Sequence, residues 1–357
     1  MKIHHVLDSL AIGGAEILVV NLAKFQKAAG HDVYVHTVLR DGPLAADLKS
    51  AAIPVFAHRS TPKLLLLANL YRAFRRERPD VVHCHNILPT VYGAVAAKLA
   101  GTPAIVSTRH GLSTHDARRE RKFWFAARYC RCVAAVSDAA LRDLASDPWA
   151  ACKKLVTIYN GAQLPPAKPE TTGEIVKRGL ALISVGRLTW QKDFPCLLRA
   201  LALARREVFD LELWILGEGS ERGRLEVLID ELGIREAVKL PGMSDNVGHW
   251  LNRADVFVLS SVSEGLPISL LEAMSAGIPA IVTDAGGMPE VVKASGGGLV
   301  VPQSQPAALA EAIVTLARTR ESLPAIGKAA REHYLRHFTL ERMAGQYMAV
   351  YGQETAN

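Results

Sequence analysis

Glu264 and Glu272, with seven residues between them, are the clearest candidates for chemistry in this sequence. They belong to the segment Ser263-Glu264-Gly265-Leu266-Pro267, which continues to Leu271-Glu272-Ala273. Pro267 suits a first helical position, which puts Glu264 in the loop ahead of the helix and Glu272 about one and a half turns into it. A carboxylate in a glycine-containing loop beside exposed amides can accept sugar hydroxyls, while the amides and the helix dipole stabilise negative charge. Glu264 alone is also explained as an acid complementing a helix N-terminus. The form of the whole stretch is not.

Cations stand near by in the pattern. Gly186-Arg187 closes an apolar run and Lys192 follows five residues later, at the start of the next predicted helix. An arginine fork and a mobile lysine charge at a strand end suit a diphosphate; a surface pair on a connecting loop is the plainer reading of these two alone. Ile12-Gly13-Gly14-Ala15-Glu16 follows the first apolar run and opens a helix, so a backbone approach to an anion and a simple tight turn are both open there. Asp284-Ala285-Gly286-Gly287-Met288-Pro289-Glu290 repeats the theme. Leu216-Gly217-Glu218-Gly219 leads to Gly223, one residue late for the dinucleotide fingerprint, so a nicotinamide cofactor is not expected. Several glycine-containing strand-to-helix loops together favour phosphate or sugar binding more than any one does.

Arg109-His110-Gly111 ends a further run, and His110 there is either structural or a site residue. His83 and His85 alternate onto one face of a strand end, with Cys84 pointing the other way. Two histidines without a third convergent ligand are a weak metal signal, so no metal is expected.

The elements that must position these residues alternate from end to end. Strands are predicted at Ile3–Leu7, Val33–Val38, Val81–His83, Ala104–Ser107, Val133–Val136 and Val156–Ile158, with helices near 15–29, 63–77, 89–99 and 137–146. Gly161 to Thr172 is rich in Pro, Ala and Lys and reads as an interdomain linker. Beyond it, strands are predicted at Leu182–Val185, Leu211–Leu216, Val238–Leu240, Asp255–Leu259, Ala280–Thr283 and Leu299–Val301. Helices are predicted at 192–205, 221–232, 267–276, 306–318 and 323–336. Such alternation means parallel sheets covered on both faces: an α/β chain with two doubly wound domains. Ligands of such sheets bind beyond the strand carboxyl ends at the switch point, and a cleft between two facing sheets is the expected site.

A length of 357 residues suits two domains. With 49% hydrophobic and 22% charged residues, disorder is excluded as the main state. Five cysteines (Cys84, Cys130, Cys132, Cys152, Cys196) without a CxxC pair fit neither a disulfide framework nor a four-ligand zinc site, and suit a reducing cytosol. Asp8 and Glu16 interrupt any signal-peptide core, and the longest apolar run, Leu64 to Tyr71, is too short to span a bilayer. A cytoplasmic location is expected. Residues 1–160 carry 22 Lys/Arg against 12 Asp/Glu, whereas 161–357 carry 20 against 23. The basic half holds Arg72, Arg75, Arg76, Arg78 and then Arg118, Arg119, Arg121, Lys122. These are solvated helix faces, or a patch for an anionic membrane at roughly 1 kcal/mol per basic residue. Phe123, Trp124 and Phe125 follow the second cluster, a composition that leans towards an interfacial anchor on the inner face of the plasma membrane.

Taken in order, the motifs resemble those of the retaining glycosyltransferases of family 4, nucleotide-sugar-dependent enzymes of GT-B architecture. The resemblance runs through GGAE at 13–16, HG at 110–111, SD at 137–138, NG at 160–161, GRLTWQKDF at 186–194, LGEG at 216–219 and LPG at 240–242. It continues through ADVFVLSS at 254–261, SEGLPISLLEA at 263–273, GIPAIVTDAGG at 277–287 and GLVVP at 298–302. It implies two Rossmann-like domains facing a central cleft: residues 1–165, joined in space by a C-terminal helix over 339–357, and a donor-binding domain over 166–338. Thr339 is the expected cap of that helix, with Met343, Tyr347 and Val350 on one face.

The same resemblance implies roles. Arg187 and Lys192 would neutralise the donor diphosphate, and Gly13 and Gly14 would bring backbone amides to it. Glu264 would hold sugar hydroxyls with help from Gly265, Leu266 and Pro267, and Glu272 would bind the ribose. Gly242 and Met243 would border the base. His110 would contact the sugar near its reacting face, with His85 beside it on the acceptor side. His110, Glu264, Arg187 and Lys192 are the implied catalytic set. The leaving phosphate would deprotonate the acceptor on the same face. Lys192-Asp193 departs from the family's Lys-Gly without changing the role of the lysine.

The function so implied is metal-independent, retaining transfer of a hexose, from UDP rather than GDP, to a carbohydrate or lipid-linked acceptor in cell-surface polysaccharide or glycolipid synthesis. No cofactor is expected. A nucleotide-sugar epimerase of similar two-domain build is the alternative. A basic non-catalytic binder is the third reading; the RNA-recognition aromatic motifs are missing, so no nucleic-acid partner is expected.

Overall fold

The computed structural model describes residues 1–58, 62–113, 116–150, 154–163, 179–244 and 246–352. Cys152, the linker beyond residue 163 and the expected domain boundary at 165/166 lie outside the described residues. The chain divides into two compact units, Met1–Gly161 with Leu340–Asn357, and Ala162–Thr339.

In the first unit, β1 (Lys2–Ser9) leads into α1 (Gly14–Ala28), β2 (Asp32–Arg40), α2 (Ala45–Ser50), β3 (Val55–Ala57) and α3 (Lys63–Glu77). There follow β4 (Val81–His85), α4 (Ile87–Pro89), a π-turn (Thr90–Ala94), α5 (Val95–Ala100), β5 (Ala104–Arg109), α6 (Ala117–Ala127), β6 (Cys132–Ala135), α7 (Asp138–Ala145) and β7 (Leu155–Thr157). The strands form one parallel sheet in the order β3-β2-β1-β4-β5-β6-β7. Every residue of β4, β5 and β6 is buried, as expected of a sheet covered on both faces. The order reverses between β1 and β4, which places the switch point at the ends of those two strands.

The second unit contains β8 (Leu180–Val185), α8 (Phe194–Ala204), β9 (Leu211–Leu216), α9 (Arg222–Glu231), β10 (Val238–Gly242), α10 (Val247–Leu251) and β11 (Val256–Leu259). It continues with α11 (Ile268–Ser275), β12 (Ala280–Thr283), α12 (Met288–Ser295), β13 (Gly298–Val301), α13 (Pro306–Arg318) and α14 (Leu323–His337). Its parallel sheet runs β10-β9-β8-β11-β12-β13, with the switch point between β8 and β11. Phe194, Leu197, Leu198 and Leu201 of α8 are buried in one cluster with Leu309, Ile313 and Leu316 of α13. Each such side chain contributes about 1.5–3 kcal/mol by leaving water.

The last helix, α15 (Leu340–Gly352), belongs to the first unit. Met343, Tyr347 and Tyr351 are its buried face, at spacings of four. Tyr351, rather than Val350, completes that face: Val350 is only half-buried.

Two of the three aromatics of the expected interfacial anchor are corrected. Phe123 and Trp124 are core residues, 0% and 4% exposed, packed with Val133, Ala140 and Leu144. On α6 only Phe125 of the three aromatics is exposed. The buried Arg109–Glu120 pair (2.8 and 3.1 Å), with the Arg109 guanidinium 4.7 Å from the Phe123 ring centre, ties α6 to the end of β5. Arg109 is therefore structural. Cys84, Cys130, Cys132 and Cys196 are buried free thiols.

Candidate active site

In the second unit the loops leaving β8 and β11 meet at the switch point. Lys192 lies in a 3-10 turn (Trp190–Lys192) rather than in α8 itself. Its Nζ lies 2.6 Å from Glu264 Oε1, which also accepts from Ser261 Oγ at 2.8 Å. Both charged side chains are about 15% exposed (16% and 14%), enough for a ligand to reach them. Backbone contacts fix the pair: Ser260 Oγ donates to the Lys192 carbonyl and Val262 N to that of Gln191, each at 2.8 Å. Gly186 lies under the lysine: a Cβ would stand 2.8 Å from Lys192 Cε and displace the end of that side chain. Arg187 is exposed on the same loop.

Glu264 is held from behind. Gly286, with φ +53°, packs its Cα against the Glu264 carbonyl so closely that a Cβ would fall 1.9 Å from that oxygen. Gly287 N donates to the Gly265 carbonyl at 2.7 Å. Pro267 is the residue before α11, with ψ 130°, and not its first residue. Glu272 is the fifth residue of α11, and burial pushes its carboxyl up to about 7. Gly242 ends β10 with φ +87° and its carbonyl accepts from Gly217 N at 2.9 Å, while Met243 beside it is exposed. Gly265, Leu266 and Pro267 are buried beside Glu264.

The first unit has its own constellation at the β1/β4 switch point. A cavity of about 10 Å³, room for one water, is lined by Leu7, Asp8, Ala15, Glu16, His85, Asn86 and His110. Gly13 is buried and precedes α1; Gly14 is exposed as its first residue. Asp8 is pushed up to about 6 by burial and by the charge of Glu16, against the opposing effect of Arg119. Asn86 has φ +71°, and its Oδ1 accepts from the backbone N of His110 at 3.1 Å. Strained non-glycine backbone of this kind concentrates at working sites.

His110 does not stand alone. Its Nε2 is 3.0 Å from His85 Nδ1, His85 Nε2 is 3.1 Å from His5 Nδ1, and His5 Nε2 is 2.8 Å from Gln26 Oε1. His85 is 3% exposed and stands behind His110 rather than at the surface. The premise that two histidines lack a third convergent partner is overturned, because His5, His83 and His85 bring ligand atoms within 4.8 Å of one another. All six of their ring nitrogens are nevertheless engaged. His83 uses Tyr351 Oη and Thr108 Oγ1, both at 2.7 Å, and the other two rings use the contacts just given.

Asp8, His5, Gln26 and Asn86 were not singled out from sequence. His5 was legible in principle, since parallel pairing of β1 with β4 sets His5 opposite His83. Gln26 carries no such signal.

Two family models match: "Glycosyltransferase Family 4" over residues 12–164 and "Glycosyl transferases group 1" over 172–333. The chain is 25% identical over 331 residues to the Escherichia coli UDP-Gal:alpha-D-GlcNAc-diphosphoundecaprenol alpha-1,3-galactosyltransferase, covering 84% of each chain. It is 29% identical over 319 residues to the lipopolysaccharide core biosynthesis glycosyltransferase LpsD of Rhizobium meliloti, covering 88% of this chain and 87% of that one. Among solved structures it is similar to Anabaena Alr3699/HepE in complex with UDP-glucose, with a TM-score of 0.86, 22% identity and 98% of both chains covered. The two Rossmann-like sheets are thus those of the GT-B fold, and none of these matches supports the epimerase reading.

Proposed function

The chain belongs to glycosyltransferase family 4, and on that premise we propose a retaining, metal-independent transfer of a hexose from a UDP-linked donor. The proposed acceptor is a carbohydrate or lipid-linked saccharide of cell-surface polysaccharide or glycolipid synthesis. The observation that carries the reading is the Lys192–Glu264 pair at the β8/β11 switch point, with Arg187 on the same loop. An arriving diphosphate draws Lys192 and Arg187 to its oxygens. Glu264 is then released to the sugar hydroxyls, and Glu272 takes the ribose. UDP is favoured because the galactosyltransferase is named for UDP-Gal and the HepE complex contains UDP-glucose.

In the reaction the anomeric C–O bond breaks with both electrons passing to the diphosphate oxygen. The acceptor oxygen bonds to that carbon from the same face, and its proton goes to the leaving phosphate. Lys192 and Arg187 stabilise the charge that accumulates there, the work a divalent ion does elsewhere. His110 contacts the sugar.

Among the described residues no helix is long and apolar enough to cross a membrane. Peripheral docking on the inner face of the plasma membrane is proposed through the exposed face of α6. There Arg118, Arg121 and Lys122 lie beside Phe125, whose ring centre is 3.8 Å from the Arg128 guanidinium.

The test is a thermal-shift panel of UDP, GDP and ADP with and without magnesium, then the anomeric configuration of the product by NMR. A ligand at 100 times its dissociation constant stabilises by about 2.7 kcal/mol. A magnesium-independent shift for UDP and an α-linked product from an α-linked donor are expected. A shift only with magnesium, or an inverted product, would overturn the corresponding part.

A further inference from the structure

We infer that Gln26, His5 and His85 form a directional hydrogen-bond chain that fixes which nitrogen of His110 carries the proton, with Gln26 as the positioning residue at its far end. For its kinetic consequence the inference rests on the assignment of His110 to the transferred sugar.

The argument is one of proton counting. A neutral imidazole has one N–H donor and one bare acceptor nitrogen. His5 and His85 are buried in the first unit, at 0% and 3% exposure, and burial holds them and His110 far towards the neutral form. Each of the contacts His5–His85 (3.1 Å) and His85–His110 (3.0 Å) joins two ring nitrogens, so each holds one proton. Three neutral rings linked Nδ1 to Nε2 must therefore share one tautomer: all carry the proton on Nε2, or all on Nδ1. Gln26 decides between them. Its Oε1 can only accept, so His5 Nε2 donates to it at 2.8 Å. His5 Nδ1 is then bare and accepts from His85 Nε2. His85 Nδ1 is bare in turn and accepts from His110 Nε2.

The chain ends at His110 Nδ1, which is buried without a hydrogen-bond partner. As a bare lone pair it is ready to accept from a hydroxyl, and His110 lines the small cavity with Asp8 and Glu16. Gln26 is 1% exposed, and its amide also interacts with the Tyr351 hydroxyl. If the amide turned over, its NH2 would donate to His5 and every proton in the chain would move across its ring. His110 would then present an N–H donor. One amide, three rings away, thus sets whether His110 accepts from or donates to the substrate. His83 packs beside the chain, its ring centre 4.0 Å from that of His85, but bonds to Tyr351 and Thr108 instead.

The test is long-range 1H–15N NMR of the full chain with labelled histidine at pH 7.5, peaks being assigned by single histidine-to-glutamine variants. His5, His85 and His110 should all be protonated at Nε2 alone. Gln26→Leu, which removes the acceptor, should give His110 a mixture of tautomers and lower kcat about 10-fold with the donor KM unchanged. Gln26→Met, which fills the same space without an acceptor, should give the same mixture and the same loss, so that lost packing is not the cause. A His110 protonated at Nδ1 in the native chain would overturn the inference. So would an unchanged His110 tautomer in Gln26→Leu, or a stoichiometric metal ion on His5 and His85 by emission spectrometry. If the native chain transferred no sugar, the proposed function would fail while the tautomer measurement would still decide this inference.

Discussion

Asp193 and Ser304, each with positive φ (43° and 52°), are joined by a hydrogen bond of 2.9 Å from Ser304 Oγ to Asp193 Oδ2. The other Asp193 oxygen accepts from Cys196 N at 3.3 Å and caps α8. Asp193 stands where the resemblance to family 4 implies a glycine. The chain must turn left-handed directly after Lys192, and the aspartate accepts the strain in exchange for two hydrogen bonds.

Asp193→Ala keeps the left-handed backbone and loses both bonds. It should destabilise the second unit by about 1–3 kcal/mol. Asp193→Gly relieves the strain and should cost less than about 1 kcal/mol, with turnover retained. Urea unfolding of the two variants compares them directly; equal losses would show that the backbone conformation is not what matters.

Removing a charge from the donor loops should affect turnover far more than folding. Arg187→Ala and Glu264→Ala each delete a charge-assisted contact worth roughly 1.5–3 kcal/mol, or about 10–100-fold in kcat/KM. Steady-state rates beside melting curves check this. Full activity in Arg187→Ala would remove that residue from the site.

With Glu272 on the ribose, as proposed above, donor binding should depend on pH. Its carboxyl, raised to about 7 by burial, is mostly protonated below that pH in the free protein. Two ribose hydroxyls are best accepted by the ionised form, so binding must expel the proton. The dissociation constant of UDP-glucose, whose diphosphate does not titrate in this range, should rise about 10-fold per pH unit as pH falls below 7, and Glu272→Gln should abolish the slope. Calorimetric titration between pH 5.5 and 8 measures both.

The first unit should be the acid-labile one. Burial lowers His4 to about 3 and His5 and His110 to about 4, and lowers His36, His83 and His85 well below their ordinary value. A histidine depressed in the folded state binds its proton only on unfolding. Each therefore favours the unfolded chain by about 1.4 kcal/mol per pH unit from about 6.5 down to its folded value. Asp8, raised to about 6, works the other way but is one group against six. Pulse-labelling hydrogen exchange should show β1 and β4 losing protection between about pH 6 and 4.5, before β8 and β11 do. Simultaneous loss would contradict this.

What the sequence made legible followed burial periodicity. The β-branched runs of β1, β5 and β12 and the amphipathic face of α8 can be read because a doubly covered sheet demands them. The three-residue β3 and the short α2 carry too few residues for a period, and α6 was hidden by its basic surface. Trp124 misled because its basic neighbours Arg121 and Lys122 are exposed, whereas Phe123 and Trp124 turn onto the buried face. Lys192 and Glu264 were visible as types, but their pairing depends on β8 and β11 being neighbours, a property of topology. The histidine chain depends on strand pairing for His5 and His85 and on helix rotation for Gln26. Local composition encodes neither.

The membership of α15 in the first unit has a consequence for biosynthesis. Tyr351 closes over His83, and Arg131 donates to the carbonyls of Val350 and Tyr351 at 3.1 and 2.7 Å. On the ribosome the receiving surface emerges first and must wait while the whole second unit is translated. At about 5–20 residues per second that is a delay of roughly 10–40 s. Until then His83 and Thr108 face solvent or a chaperone, so the half of the protein made first is the half finished last.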